Sequence, residues 1–268
     1  MPKTDQERVK WLQPPEKPML EHSDLHLWRI DLELLGQSTD LMQILSLDEK
    51  ARYHRLLSSK KRASFLAGRA SLRMILAKYL HLLPQAIRFG YNETGKPFLA
   101  NPKCVLDIRF NLSHSGPWMV MGVSKEADLG VDIEEVRPVQ KTWALEKIFT
   151  IEERESFAEL PENEKDAAFI AAWTEKEAAA KVNGAGLSGN RAVLTEYRDV
   201  IKKQADYGFT FFRKDSCWFI HFQTTPEYLG CAAIKCDKNP LVKFYEFSFS
   251  DLLKDSFLNV QPLINGEG

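Results

Sequence analysis

Three side chains of unlike chemistry are spaced to share one face of a helix. In Trp173-Thr-Glu-Lys-Glu177-Ala-Ala-Ala-Lys181 an aromatic ring, a carboxylate and an ammonium recur at i, i+4 and i+8, a stripe along one side of an α-helix. Ala178, Ala179 and Ala180 beside it are small enough to let something approach closely. Upstream, Leu129-Gly-Val-Asp132-Ile-Glu134 alternates, so a strand here turns Leu129, Val131 and Ile133 one way and Asp132 and Glu134 the other. Two carboxylates on one strand face repel each other unless protons or a cation lie between them. Mg²⁺ takes an oxygen shell built from one or two carboxylates, water and substrate phosphates. Asp132 and Glu134 offer two such carboxylates from one strand, and Glu177 and Lys181 a carboxylate and an ammonium one turn apart on a helix. Taken singly, Glu177 and Lys181 make an ordinary helix ion pair, and Asp132 and Glu134 a solvated strand face.

These residues need a helix and a strand to hold them. A strongly helical run from Glu164 to Val182 carries the first set, and Asn183-Gly184 closes it with glycine free to turn left-handed. Ahead of it, Ser46 followed by Glu49 signals a helix start. Ser58 or Ser59 caps a longer helix over Lys60–Leu83, stopped by Pro84. Leu72, Ile75, Leu76, Tyr79, Leu80 and Leu83 follow the helical period and face a core, while Arg62, Arg69 and Arg73 read as a solvated basic face. Strands are expected at Leu25–Leu34, Ile87–Tyr91, Ile108–Leu112 and Trp118–Val123, with Asn111–Pro117 as a loop. Trp143–Leu160 reads as a helix, with Thr150 capping a turn inside it. Further strands are expected near Ala192–Leu194, Phe209–Phe212, Trp218–Gln223 and Gly230–Lys235, then a last short segment at Phe244–Leu253.

Composition removes several classes of function. The chain has 268 residues and a formal net charge of −1, which marks neither a nucleic-acid binder nor a membrane-surface protein. No apolar run approaches the ~20 residues of a membrane helix. The opening residues, polar and interrupted by Pro14, Pro15 and Pro18, make no signal peptide. Cys104, Cys217, Cys231 and Cys236 form no Cys-x-x-Cys pair and read as reduced thiols of a cytoplasmic protein.

An internal echo sets the organisation. Ser46-Leu-Asp-Glu-Lys50 matches Thr150-Ile-Glu-Glu-Arg154, and at the same offset of 104 residues Phe65-Leu-Ala-Gly68 matches Phe169-Ile-Ala-Ala172. The first strand falls opposite residues 130–137. Two related α/β halves explain this, with a ligand cleft between them. Residues 1–20 form a loose arm, 21–126 a first lobe, 127–254 a second, and 255–268 a loose tail.

Gly130-Val-Asp-Ile-Glu134 followed by Trp173-Thr-Glu-Lys-Glu-Ala-Ala-Ala-Lys181 resembles the paired signature of the 4′-phosphopantetheinyl transferases, and within them the longer Sfp-type enzymes. Thr94-Gly-Lys-Pro97, Asn111-Leu-Ser-His114 and Gly184-Ala-Gly-Leu-Ser188 agree, in the family's order, and the resemblance spans residues 25–249. It implies an α+β (α/β) fold of two similar pseudo-twofold lobes, each a small, largely antiparallel sheet packed with a long helix, with the active site in the cleft between them. It implies a monomeric enzyme that moves phosphopantetheine from coenzyme A to a serine of an apo acyl or peptidyl carrier protein, with Mg²⁺ as cofactor. The alternative is a non-catalytic binder of coenzyme A or carrier proteins on the same fold, against which the intact acidic set stands.

The resemblance also assigns residues. Asp132, Glu134 and Glu177 surround the metal, Glu177 doubles as the base toward the carrier serine, and Lys181 meets the pyrophosphate. Arg52, Lys96, Pro97, Ser113 and His114 serve the nucleotide end of coenzyme A. Glu49 and Phe65 depart from the family pattern, standing where the best-known bacterial member has a lysine and a threonine; Lys50 can substitute for the first. Residues 137–160, with Lys141, Lys147, Phe149 and Phe157, are the expected carrier side, the two phenylalanines reading as core.

Overall fold

A computed structural model describes residues 10–35, 39–93, 95–101, 107–138, 145–146, 149–183 and 209–248. Thr94, Cys104, Lys141, Lys147, the 184–188 segment, the strand expected at 192–194 and the tail lie outside them. In chain order the elements are β1 (Leu25–Asp31), α1 (Leu32–Leu35), α2 (Leu47–Arg55), α3 (Ser59–Leu80), β2 (Phe89–Tyr91), β3 (Pro97–Leu99), β4 (Ile108–Ser115), β5 (Trp118–Lys125), β6 (Leu129–Glu135), α4 (Ile151–Ala158), α5 (Glu162–Asn183), β7 (Phe209–Lys214), β8 (Cys217–Thr225), β9 (Tyr228–Lys235) and β10 (Val242–Phe247). The fold is α+β, with mostly antiparallel sheets.

Helix ends follow local chemistry. Ser46 with Glu49 and Thr150 with Glu153 form capping boxes at the starts of α2 and α4, each satisfying two backbone donors that the helix cannot. The Ser58 hydroxyl takes the Lys61 amide at the start of α3. That helix stops at Leu80 rather than Leu83 because His81 turns left-handed, with φ of 52°.

The strand order β10-β1-β5-β4 in one sheet is answered by β6-β9-β8-β7 in the other. β1 pairs antiparallel with β5 as β6 pairs with β9. β1 and β6 stand 104 residues apart, as do the starts of α2 and α4, the offset seen in the sequence. The apolar faces explain the layering. Leu25 and Leu27 of β1 join Leu129, Val131 and Ile133 of β6 and Ile220 and Phe222 of β8 in one buried cluster. Trp28 and Ile30, pointing the other way, join Leu72, Ile75 and Leu76 of α3. Ala178, Ala179 and Val182 of α5 pack on Phe219, Cys231 and Ala233 on the outer side of the second sheet. Both faces of β1 are therefore buried, and its alternation separates two cores rather than core from solvent.

Several expectations change. The described end of the arm is anchored, not loose. Trp11 packs edge-on against Phe222 and Phe244, its indole N–H reaches the Gln223 carbonyl at 3.0 Å, and Leu12 bridges to Tyr245. Val242–Phe247, which lies within the 127–254 stretch, runs parallel to β1 in the first sheet. β4 continues to Ser115, because Gly116-Pro117 is a two-residue hairpin turn into β5 and not the end of a loop. Among the described residues the expected Trp143–Leu160 helix is broken: Leu145 and Glu146 are helical, and a new helix starts at Ile151, where Thr150 caps it, and ends at Ala158. Phe149 and Phe157 are core, as expected.

Arg69 and Arg73 form no solvated face. Arg73 is 2% exposed, and both guanidinium groups close on Glu49, itself 3% exposed; Arg73 Nε lies 2.7 Å from Oε2. Arg73 also donates to the carbonyls of Pro84 and Ile87, fastening the turn after α3. Breaking one partner of a buried pair leaves an uncompensated charge in a medium that solvates it poorly. Glu49→Ala should therefore cost about 3–5 kcal/mol, read as a lower midpoint in urea. A loss under about 1 kcal/mol would mean that water reaches Arg73.

Candidate active site at the open edge of β6

β6 is the edge strand of its sheet, so every second residue presents a peptide group with no neighbouring strand to meet it. Side chains from other elements take four of those groups. Lys96 Nζ donates to the Leu129 carbonyl at 3.2 Å, the Val131 amide donates to Asn111 Oδ1 at 2.8 Å, Lys181 Nζ donates to the Val131 carbonyl at 2.9 Å, and the Glu135 amide donates to Ser115 Oγ at 3.2 Å. Asn111 and Ser115, with Ser113 between them, lie on one face of β4, since strand side chains alternate. Phe110 and Leu112 point the opposite way, toward the α3 core.

Asp132 and Glu134 leave β6 on the side that α5 covers. Asp132 is 4% exposed, and its Oδ1 receives Lys181 Nζ at 2.7 Å and the Ser113 hydroxyl at 2.8 Å. Its Oδ2 is buried with no hydrogen-bond partner among the described residues. Ser115 donates to Glu134 Oε2 at 2.9 Å. Burial pushes all three carboxyls above the ordinary range. For Glu177 the Asp132 charge, and less so that of Glu134, adds to it while Lys181 opposes it. For Asp132 the opposition comes from Lys181 and Ser113, and for Glu134 first from Ser115. Among the described residues no three His, Cys, Asp or Glu side chains already stand as a metal cage; the cation beside Asp132 is Lys181. The donor set is nevertheless the oxygen-only kind that Mg²⁺ takes, and the buried, unpartnered Asp132 Oδ2 is an acceptor that such an ion suits.

The position of α5 is over-determined. Its backbone passes so close to β6 that a Cβ on Gly130 would run into the Ala178 carbonyl, which is the reason for glycine two residues before Asp132. Three consecutive side chains then leave the helix in three directions. Glu175 meets His221 of β8 at 3.1 Å, with both almost fully buried. Lys176 meets Glu153 of α4 at 2.9 Å, also buried. Glu177 faces the acidic pair.

The residues expected at the nucleotide end divide. Lys96 is bound into the site, donating to the Lys181 carbonyl at 2.6 Å as well as to Leu129; burial, and after it the Lys181 charge, pushes its pKa down, with Asp128 opposing. With Pro97, Phe98, Arg109 and Asp128 it lines a cavity of about 290 Å³. Ser113 sits on Asp132. His114, exposed, occupies the opposite face of β4, and Arg52, also exposed, lays its guanidinium over Phe65 at 5.3 Å. Asn111 and Ser115 were missed as site residues in the sequence. The signal was there in the period of two across Asn111, Ser113 and Ser115, hidden by reading Gly116-Pro117 as a loop.

Two family models match the chain: one described as the 4′-phosphopantetheinyl transferase superfamily over residues 128–238, and one as 4′-phosphopantetheinyl transferase, N-terminal, over residues 35–126. The 4′-phosphopantetheinyl transferase HetI of Nostoc sp. is 37% identical over 180 residues, covering 66% of this chain and 76% of HetI. AcpT of Salmonella typhi is 39% identical over 126 residues, 46% of this chain and 60% of AcpT. Sfp of Bacillus subtilis is 27% identical over 147 residues, 55% of this chain and 63% of Sfp. The chain thus spans about three-fifths of the last two relatives and about three-quarters of the first. No helix among the described residues is long and apolar enough to cross a membrane.

The raised Glu177 carboxyl has a consequence for stability. In the unfolded chain it titrates near the ordinary value of about 4.3. The folded state holds its proton to higher pH, so stability falls as pH rises from that value through the folded one and stays reduced above it. Glu177→Gln removes the charge and the penalty. The variant should melt no lower than the parent at about pH 8, with the difference closing near pH 4. A variant clearly less stable at the higher pH would place Glu177 in a favourable ion pair instead.

Proposed function

Because the chain belongs to the 4′-phosphopantetheinyl transferase superfamily, and is an enzyme of that transferase class, we propose that it moves the 4′-phosphopantetheine group of coenzyme A onto a serine hydroxyl of an apo acyl or peptidyl carrier protein. The observation that carries this reading is the meeting of Lys181, Asp132, Glu134 and Glu177 along the open edge of β6. The serine oxygen forms a bond to the phosphorus that bears pantetheine. The bond from that phosphorus to the bridging oxygen breaks, and adenosine 3′,5′-bisphosphate leaves. Such transfers are accelerated by positioning and by charge placed where charge develops.

Each residue then has a task. Asp132, Glu134 and Glu177 would hold Mg²⁺, which when bound supplies positive charge to the pyrophosphate oxygens. Glu177 offers a second oxygen to take the serine proton, a role that rests on position before pKa, since a bound cation would hold the carboxylate ionised. Lys181, which donates to Asp132 Oδ1, would turn to a pyrophosphate oxygen. Lys96, Pro97, Ser113, His114 and Arg52 receive the nucleotide, and the cavity beside Lys96 and Pro97 suits its flat, partly apolar part. The reading keeps two lobes, 21–126 and 127–254, the second lending β10 to the first sheet, with the ligand between them, and a cytoplasmic monomer.

Incubation with coenzyme A, Mg²⁺ and a panel of apo carrier proteins should add the mass of phosphopantetheine to a carrier. Lys181→Ala should weaken coenzyme A binding and slow transfer together, by about 10²-fold or more. Absence of the mass shift from every carrier in the panel would refute the transfer.

A further inference from the structure

Asp132 and Glu134 are held differently. Asp132 is gripped by two donors, Lys181 and Ser113, on the same oxygen. Glu134 is half-buried, longer by one rotatable bond, and has one hydrogen-bond donor among the described residues, the Ser115 hydroxyl at 2.9 Å. That hydroxyl carries a single proton and gives it to Oε2. Its lone pair accepts the Glu135 amide at 3.2 Å, which fixes the rotor, since a hydroxyl held on both sides cannot swing to another acceptor.

The backbone beneath Ser115 is fixed as well. Gly116, with φ of 55°, makes the β4–β5 turn in a conformation that favours glycine. A Cβ there would run into the Tyr228 hydroxyl. Tyr228 starts β9 and is the register partner of Glu135. The hairpin tip is therefore wedged against the same end of β6 that carries Glu134.

We propose that Ser115 is a positioning residue for Glu134: it anchors Oε2 to the hairpin tip and so presents Oε1 to a divalent cation in the cleft. The proposal rests on the reading that these carboxylates serve Mg²⁺. Ser115 touches neither substrate nor metal. A group that orients a metal-binding carboxylate contributes about tenfold or more to metal affinity.

The test measures Mn²⁺, as a paramagnetic stand-in for Mg²⁺, binding to the full chain with coenzyme A by water-proton relaxation. Ser115→Ala should raise the Mn²⁺ Kd about tenfold, while Ser115→Thr, which keeps the hydroxyl, should stay within about twofold of the parent. If Ser115→Ala melts early without cation, Ser115→Cys, similar in shape with a weak donor, carries the same expectation of weakened binding. In transfer assays the Mg²⁺ needed for half-maximal rate should rise in Ser115→Ala, with the rate at saturating Mg²⁺ recovered to within about threefold. Equal Kd values for parent and Ser115→Ala, a Ser115→Thr as weak as Ser115→Ala, or no Mn²⁺ binding by the parent would each overturn the proposal. Mn²⁺ binding needs no carrier and no turnover. A parent that binds Mn²⁺ with the expected serine dependence but transfers nothing therefore supports the role of Ser115 and counts against the proposed reaction alone.

Discussion

The open edge of β6 is the constraint on which the rest of the structure depends. Peptide groups on an edge strand must find partners or water, and here they sit where two sheets and a helix close together. Lys96 from the β2–β3 hairpin, Asn111 and Ser115 from β4, and Lys181 from α5 supply the partners. Each of those bonds also sets a distance between elements that have no ladder in common. Another chain pairing along this edge would have to displace those bonds, and the same bonds bring two ammonium groups, two hydroxyls and three carboxylates into one place.

α5 shows how a helix can be made to keep one rotation. Successive residues on a helix point about 100° apart, so Glu175, Lys176 and Glu177 face three environments in turn. Two of the three end in buried pairs, with His221 and Glu153. Rolling the helix by one residue would pull both pairs apart and drive the Gly130 contact into the Ala178 carbonyl. Buried pairs are weak sources of net stability. Their arrangement about 100° apart around α5 leaves Glu177 and Lys181 a single direction in which to point.

What the sequence revealed and what it hid follow from the range of the interactions. The alternation of 129–134, the Trp173–Glu177–Lys181 stripe and the helix start at Ser46 and Glu49 are local patterns, and each appears in the structure where the residues put it. The 104-residue echo was legible because β1 and β6, and α2 and α4, repeat the same local grammar. Arg69 and Arg73 were misread because helical spacing says which residues share a face, not what that face meets; Glu49, from a different helix, decides it. The hairpin at Gly116-Pro117 was hidden by composition, since the same dipeptide ends loops and makes two-residue turns. The parallel return of β10 to β1 was beyond reach, because nothing local in Val242–Phe247 distinguishes a partner more than two hundred residues away.

That return gives the molecule a mechanical character. β10 runs parallel to β1, with Leu12 of the arm bridged to its other side, again in parallel. Tension drawn between the two ends of the described chain slides these segments along one another, so their hydrogen bonds bear load together instead of opening singly as in a peeled hairpin. Forced unfolding is governed by the height of the unfolding barrier rather than by equilibrium stability, and a shear clamp raises that barrier. A motor that threads polypeptide past either end of the described residues would meet this clamp before reaching the sheet edge that carries the site.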